Sequence, residues 1–130
     1  MYSQTTRSIV IDVTPVYLEE ESAPEDNRYV WAYRIRIENT GMETVHLRRR
    51  YWRIVDGNGQ VDTVDGEGVI GIRPVLEPGA VFTYVSGVPL RTPSGIMSGR
   101  YRMRTETGEV FEVIIPVFSL DSPYGNIRLN

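Results

Sequence analysis

Apolar and polar residues alternate along much of this chain, and a period of two is typical of β-strands with one buried face. In the clearest stretch, Tyr29, Trp31, Tyr33, Ile35 and Ile37 share one face. Turn-forming residues separate this stretch from others of the same kind. The pattern predicts seven strands, at about 8–20, 29–38, 44–55, 60–64, 80–88, 96–105 and 109–120.

Proline, glycine and charge interrupt the strand pattern. Pro15 predicts a break in the first strand. Positions 65–79 hold four glycines and two prolines, so we expect a loop that crosses between two sheets. The charged stretch 19–28 is expected to be a solvated loop, and the ends of the chain, 1–7 and 121–130, are expected to be loosely held.

The composition favours the same architecture. Valine, isoleucine and threonine supply 37 of the 130 residues, whereas alanine, leucine and lysine supply 9; β-branched residues favour strands over helices. Strands with turn signals about every ten residues predict an all-β fold, an antiparallel two-sheet sandwich of the immunoglobulin or fibronectin type III kind. We expect one domain over residues 1–130, with its core at about 8–120.

Charge and the scarcity of reactive side chains narrow the function. The chain has no cysteine, no signal-peptide pattern and no apolar run of membrane-spanning length, so we expect a cytoplasmic protein without membrane contact. Its net charge of −3 argues against nucleic acid as a partner. His46 is the single histidine, and no nucleophile has a partner base, so we expect neither an enzyme nor a cofactor. A weak magnesium site at Asp62, Asp65 and Glu67 is a less favoured alternative to having no metal site.

The concentrated positive segment is RRRYWR, at positions 48–53. Arginines beside aromatic residues are typical of protein-interface hot spots and of phosphate-binding surfaces. Strand alternation places Arg48 and Arg50 on the face of Trp52 and the intervening residues on the other face, unless a bulge changes the order. Ion pairs with acidic residues at 19–21, 62 or 65 are the structural alternative. The residues predicted to bind a protein partner are Arg48, Arg49, Arg50, Tyr51 and Arg53.

Positions 66–71 read GEGVIG, the GxGxxG spacing of a dinucleotide-binding loop. Such a loop requires a following helix, and Pro74 and Pro78 leave no room for one. A structural role in a tight crossing is therefore favoured. The alternative is a nest of backbone amides that binds phosphate. The candidate phosphate-binding residues are Gly66, Gly68, Gly71 and Arg73.

Several segments, taken in order, resemble the ApaG family of small bacterial proteins. They are RYVWAYRIRIENTG, RRRYWRIVDGNG, GEGVIG, LEPGAVFTYVSG, TPSGIMSGRYRM and IPVFSLDSP, and the resemblance extends from about Ile9 to Pro123. It implies a fibronectin type III-like sandwich. It also implies a link to cobalt resistance and magnesium efflux without an established biochemical activity, and related eukaryotic domains resemble protein-interaction modules.

Two hypotheses for the function follow. The first is a non-enzymatic binding module that recognises a protein partner through the arginine segment and the adjacent glycine loop. The second is a nucleotide or polyphosphate sensor that uses the loop from Gly66 to Arg73. Because an open sheet edge accepts another strand, we expect either a monomer or an edge-paired homodimer.

Overall fold

A computed structural model describes residues 1–124, and within them the chain forms nine strands. The strands are β1 (Tyr2–Thr6), β2 (Ile9–Tyr17), β3 (Tyr29–Asn39), β4 (Val45–Asp56), β5 (Val61–Glu67), β6 (Val75–Leu76), β7 (Val81–Leu90), β8 (Ser94–Thr105) and β9 (Val110–Asp121). Two short 3₁₀ helices, Glu19–Glu21 and Pro24–Asp26, lie between β2 and β3. No helix in this part of the chain has the length and apolar character needed to cross a membrane.

The strands form two antiparallel sheets, which confirms the predicted sandwich. One sheet has the order β1-β2-β3-β7; the other has the order β5-β4-β8-β9, with β6 paired to β4. The predicted inner face of β3 is buried at all five positions, and Ile35 and Ile37 are fully enclosed. These side chains pack with those of the facing sheet into one hydrophobic core.

The amino-terminal residues form a strand, contrary to the prediction that 1–7 are loosely held. β1 pairs with β2 from Tyr2 opposite Val13 to Thr6 opposite Ile9. The two-residue turn between them places Arg7 and Ser8 at φ 46° and 71°. Such turns are usually marked by asparagine or glycine, so this hairpin gave no turn signal in the sequence.

Pro15 does not break β2, so the predicted break in this strand is wrong. It stays in register opposite Tyr33 of β3. β1 begins at Tyr2, opposite Val13, so the part of β2 after Val13 has no neighbouring strand on the side away from β3. Proline is tolerated at such an edge because its missing N–H leaves no sheet hydrogen bond unmade there.

The segment 65–79 is not a single crossing loop. β5 continues to Glu67, a tight turn at 69–72 follows, and β6 returns to pair with the start of β4. The chain passes to the other sheet only at 77–80, after Leu76 has been buried in the core. Each half of this segment pairs with β4. The sequence pattern did not predict this pairing, because glycines and prolines are typical of loops.

The carboxyl-terminal end is more ordered than predicted as far as it is described. β9 includes Asp121, and the ring of Tyr124 packs near Tyr17 and Tyr29, at centroid distances of 6.4 and 6.2 Å. Its hydroxyl donates to Glu19 Oε1 at 3.0 Å. The remainder of the predicted loose end, 125–130, lies outside the described residues.

Candidate functional site

A β-bulge determines where the arginine segment points. The register of β4 against β8 shifts between Leu47, opposite Met103, and Arg49, opposite Arg102. Arg48 is therefore an extra residue without a partner in β8. Its carbonyl accepts a hydrogen bond from the amide of Gly68 at 2.8 Å, so the glycine loop holds the bulge in place. The bulge changes the predicted alternation, because Arg48 lies with Arg49 on the outer side.

The outer face of the larger sheet is arranged in rungs of side-by-side residues. One rung is Val75–His46–Arg104–Val110, the next is Glu67–Arg49–Arg102–Glu112, and the third is Asp65–Tyr51–Arg100–Ile114. The two central positions belong to β4 and β8, and in these rungs they carry four arginines, one histidine and one tyrosine. We call this region, together with Arg48, Arg53 and Arg73, the arginine face.

Arg50 is the one predicted binding residue that turns inward. It is paired with the fully buried Tyr101, and its Nη1 donates to the carbonyls of Glu67 and Gly68, both at 3.1 Å. Burial raises the pKa of Tyr33 and of Tyr101, whereas the charge of Arg50 acts in the opposite direction on both. Arg50 therefore anchors the glycine loop at the rim of the core, and the other four predicted residues lie on the arginine face.

Three adjoining cavities form a groove along β4 and β8. The first, of about 210 Å³, is lined by His46, Arg48, Arg104, Thr105 and Glu106. The second, also about 210 Å³, is lined by Arg48, Arg49, Glu67, Arg73, Arg102, Arg104 and Val110. The third, of about 60 Å³, is lined by Arg49, Arg50, Tyr51, Asp65, Arg100, Arg102 and Glu112. Shared arginines connect each cavity to the next.

Part of this positive charge is neutralised within the protein. Glu112 accepts hydrogen bonds from Nε of Arg100 and Nε of Arg102, both at 2.9 Å, and the hydrogen bond raises the pKa of Arg102. Arg49 Nη2 lies 3.2 Å from Asp65 Oδ1, so one of the predicted structural ion pairs exists. Arg100 also stacks 4.2 Å above the ring of Tyr51.

Other arginines of the face have no such partner. Within residues 1–124, Arg48, Arg73 and Arg104 form no ion pair, although they come from the bulge, the glycine loop and β8 and line the same cavity. Among the described residues, Glu67 is the single acidic residue lining that cavity. The groove is therefore an anion-attracting surface on a protein whose net charge is −3.

The GxGxxG glycines have structural roles in this geometry. Val69 and Ile72 exchange two backbone hydrogen bonds, of 2.8 and 2.9 Å, and Gly71 completes the turn between them at φ 82°. The amides of Gly68, Val69 and Ile72 are thus already used within the protein. The loop contributes Arg73 to the groove, but these three amides are not free to join the nest that the phosphate-binding alternative requires. The nucleotide-sensor hypothesis stays a prediction without geometric support.

Neither the histidine nor the acidic loop residues form a metal centre in the described part of the chain. His46 Nε2 lies 2.6 Å from Glu106 Oε1, which makes it part of a polar pair at the end of the groove. Asp62 is three positions from Asp65 along β5, so the two side chains point to opposite faces. No group of three or more potential ligand side chains in residues 1–124 is placed to share a metal ion.

A larger concavity, of about 940 Å³, lies at the other end of β4 and β5. Its lining mixes both signs of charge, with Asp26, Asp56 and Asp62 near Arg28 and Arg91. It lacks the excess of arginines found along the groove, so its charges give no comparable indication of a ligand.

Sequence reasoning missed the half of the arginine face that β8 contributes. Arg100, Arg102 and Arg104 alternate with the buried Tyr101 and Met103, and this alternation alone predicts that the three arginines share an exposed face. Their position beside Arg49 was not predicted, because β4 and β8 are separated by three other strands along the chain.

The comparisons with known proteins agree with this fold. The model of the ApaG domain matches residues 19–105. The chain is similar to Protein ApaG of Rhodospirillum centenum and of Parvibaculum lavamentivorans, at 58% and 57% identity over the full length of each protein. Its structure is similar to a crystal structure described as the ApaA protein of Bordetella pertussis, with 45% identity, a TM-score of 0.86, and coverage of 88% of this chain and 94% of that one. The chain belongs to the ApaG family.

Proposed function

We propose that this protein is a non-enzymatic binding module that recognises a protein partner through the arginine face. The observation that carries the proposal is the placement of Arg49 directly beside Arg102 on the two central strands. Like charges in adjacent cross-strand positions destabilise a sheet. Arg49 and Arg102 each have one internal acidic partner, Asp65 and Glu112. Arg48, Arg73 and Arg104 line the same cavity and have no ion pair within residues 1–124, so a ligand that supplies negative charge would stabilise this arrangement.

The composition of the surface supports a protein as the ligand. Arginine and tyrosine are enriched at the energetic centres of protein interfaces, and the face combines six outward arginines of β4 and β8 with Tyr51. Exposed aliphatic residues flank the charges: Val75 and Val110 are 53% and 56% exposed, and Ile114 is 40% exposed. The side chains project from paired strands, so the backbone of this surface needs no ordering on binding.

The proposal assigns no catalytic step to the protein. It places the module in the cytoplasm, and it treats the cobalt and magnesium link implied by the family resemblance as an indirect effect exerted through the partner. Whether the module acts as a monomer or as an edge-paired homodimer stays a prediction.

The test is partner recovery by immobilised protein from a bacterial lysate. Arg49→Glu combined with Arg53→Glu reverses two charges on the face, and Arg34→Glu, on the exposed side of β3 in the other sheet, is the matched control. We expect the double variant to lose the specifically recovered protein and the control to retain it, with all variants folded. Equal recovery by the double variant and the wild type contradicts the proposal.

A further inference from the structure

We infer that the partner docks through an extended segment whose acidic side chains recur at every second position, laid lengthwise along the groove between β4 and β8. This inference rests on the proposed function and names the chemistry of the partner. It follows from the shape of the groove, the spacing of its charges and the way in which one internal carboxylate already occupies it.

The shape of the groove favours an extended chain. The three cavities overlap end to end, because the first and second share Arg48 and Arg104 while the second and third share Arg49 and Arg102. The groove therefore follows the strand direction from Thr105 to Arg100 of β8. Five strand residues advance about 17 Å. This length exceeds that of a compact ion and matches an extended segment of five to seven residues.

The spacing of the charges favours acidic residues at alternate positions. Arg104, Arg102 and Arg100 belong to successive outward rungs, and outward side chains of one strand repeat about every 7 Å. Side chains at positions i, i+2 and i+4 of an extended peptide repeat at the same interval on one face. Each acidic side chain of such a segment thus meets its own rung.

Glu112 shows how a carboxylate fits this surface. Its two oxygens accept from Arg100 and from Arg102, both at 2.9 Å, so one carboxylate bridges two rungs. Arg48, Arg73 and Arg104 converge on the neighbouring cavity without an ion pair among the described residues. A carboxylate of the partner would receive charge-assisted hydrogen bonds from those guanidinium groups.

The acidic residues at the margins of the groove argue against a phosphate-rich ligand. Asp65 and Glu67 of β5 border one side and Glu112 of β9 borders the other. A continuous phosphate backbone would be repelled by both margins, whereas a peptide can place a neutral side chain between its charges.

The experiment is fluorescence anisotropy of a labelled seven-residue peptide, TETETET, titrated with the full chain at low and high salt. The isomer TTEEETT has the same composition and charge but places only two glutamates on one face. We expect the alternating peptide to bind several-fold more tightly than the isomer and to weaken at high salt. Arg104→Glu is expected to weaken binding about tenfold, the effect of losing one charge-assisted hydrogen bond, whereas Arg34→Glu leaves it within about twofold.

Several results would overturn the inference. They are equal affinity for the two peptides, no measurable binding of either, or an equal effect of Arg34→Glu and Arg104→Glu. Tighter binding of tripolyphosphate or oligothymidylate than of the alternating peptide would assign the groove to a phosphate ligand instead. The two proposals are distinguished by combining this titration with the partner-recovery test. If neither peptide binds, but the wild-type protein recovers a partner that the Arg49→Glu, Arg53→Glu variant does not, this inference is refuted and the proposed function is retained.

Discussion

Gly68→Ala should destabilise the protein more than alanine at either of the other two glycines of the GxGxxG motif. A Cβ at this position would lie 2.1 Å from the carbonyl oxygen of Ile72 and 2.9 Å from its carbonyl carbon, and the backbone φ is 62°. The left-handed conformation costs a residue with a side chain about 1–2 kcal/mol. The contact also forces the turn open, which threatens its two hydrogen bonds at about 1 kcal/mol each. We expect a loss of about 3–4 kcal/mol in the free energy of unfolding.

Two other glycines of the motif provide matched controls. Gly71 has φ 82° but no atom within 4 Å of a Cβ, so Gly71→Ala should cost only the conformational term, about 1–2 kcal/mol. At Gly66 the nearest atom is Nη1 of the flexible Arg50 side chain, at 3.1 Å, and Gly66→Ala should change stability by less than about 1 kcal/mol.

The assay is thermal or urea unfolding followed by circular dichroism. In a domain of this size, 1 kcal/mol corresponds to about 3–5 °C in Tm, so Gly68→Ala should lower Tm by about 9–20 °C and Gly71→Ala by about 3–10 °C. Equal losses for the two variants, or an unchanged Tm for Gly68→Ala, would refute the close approach of Gly68 to Ile72 and with it the structural explanation of the motif.

Three further predictions concern polar groups of the fold. Asn39 is 1% exposed, and its amide makes three hydrogen bonds, so Asn39→Ala should cost about 2–4 kcal/mol in urea unfolding; a cost below 1 kcal/mol would show that these bonds contribute little. Burial raises the pKa of Tyr84 and Tyr101 above the ordinary 10.0, so their contribution to stability is complete below pH 10 and is lost as pH rises through the higher values of the folded state; phenolate absorbance from these two residues should appear only with unfolding, and its appearance in folded protein would contradict the burial. The hydrogen bond from Arg7 lowers the pKa of Glu109 below 4.5, so its contribution is present above that pH and is lost as pH falls through the lower value of the folded state; Glu109→Gln should flatten the acid limb of stability against pH, and an unchanged limb would mean that the pair does not contribute.

The sequence predicted the sandwich because large apolar residues mark the inner face of its long strands. β3 alternates Tyr, Trp, Tyr, Ile and Ile with smaller or charged residues, and every predicted inner position is buried. β1 was missed because its sequence, YSQTT, is largely polar and none of its five residues is fully buried. Its place in the sheet depends on the partner strand and on an unusual turn at Arg7 and Ser8.

The sequence predicted only the residues that β4 contributes to the candidate site. Four of the predicted binding residues lie on the arginine face, since they are near one another in β4 and the charge of the three arginines among them is evident. The inward turn of Arg50 follows from its place opposite Tyr101, and the outward position of Arg48 follows from the bulge. Strand alternation alone places Arg50 on the face of the buried Trp52. The position of Arg48 is not encoded locally, because it depends on the bulge in the pairing of β4 with β8, which is a long-range property of the fold.

Photo-crosslinking in living cells tests the central claim most directly. A benzoylphenylalanine in place of Tyr51 samples the middle of the arginine face, and the same residue in place of Arg34 samples the exposed side of the other sheet. The account predicts a covalent adduct with a partner protein from position 51, lost when Arg49 and Arg102 are both changed to glutamate, and no such adduct from position 34. An absence of adducts from position 51, or the same adducts from both positions, would contradict it.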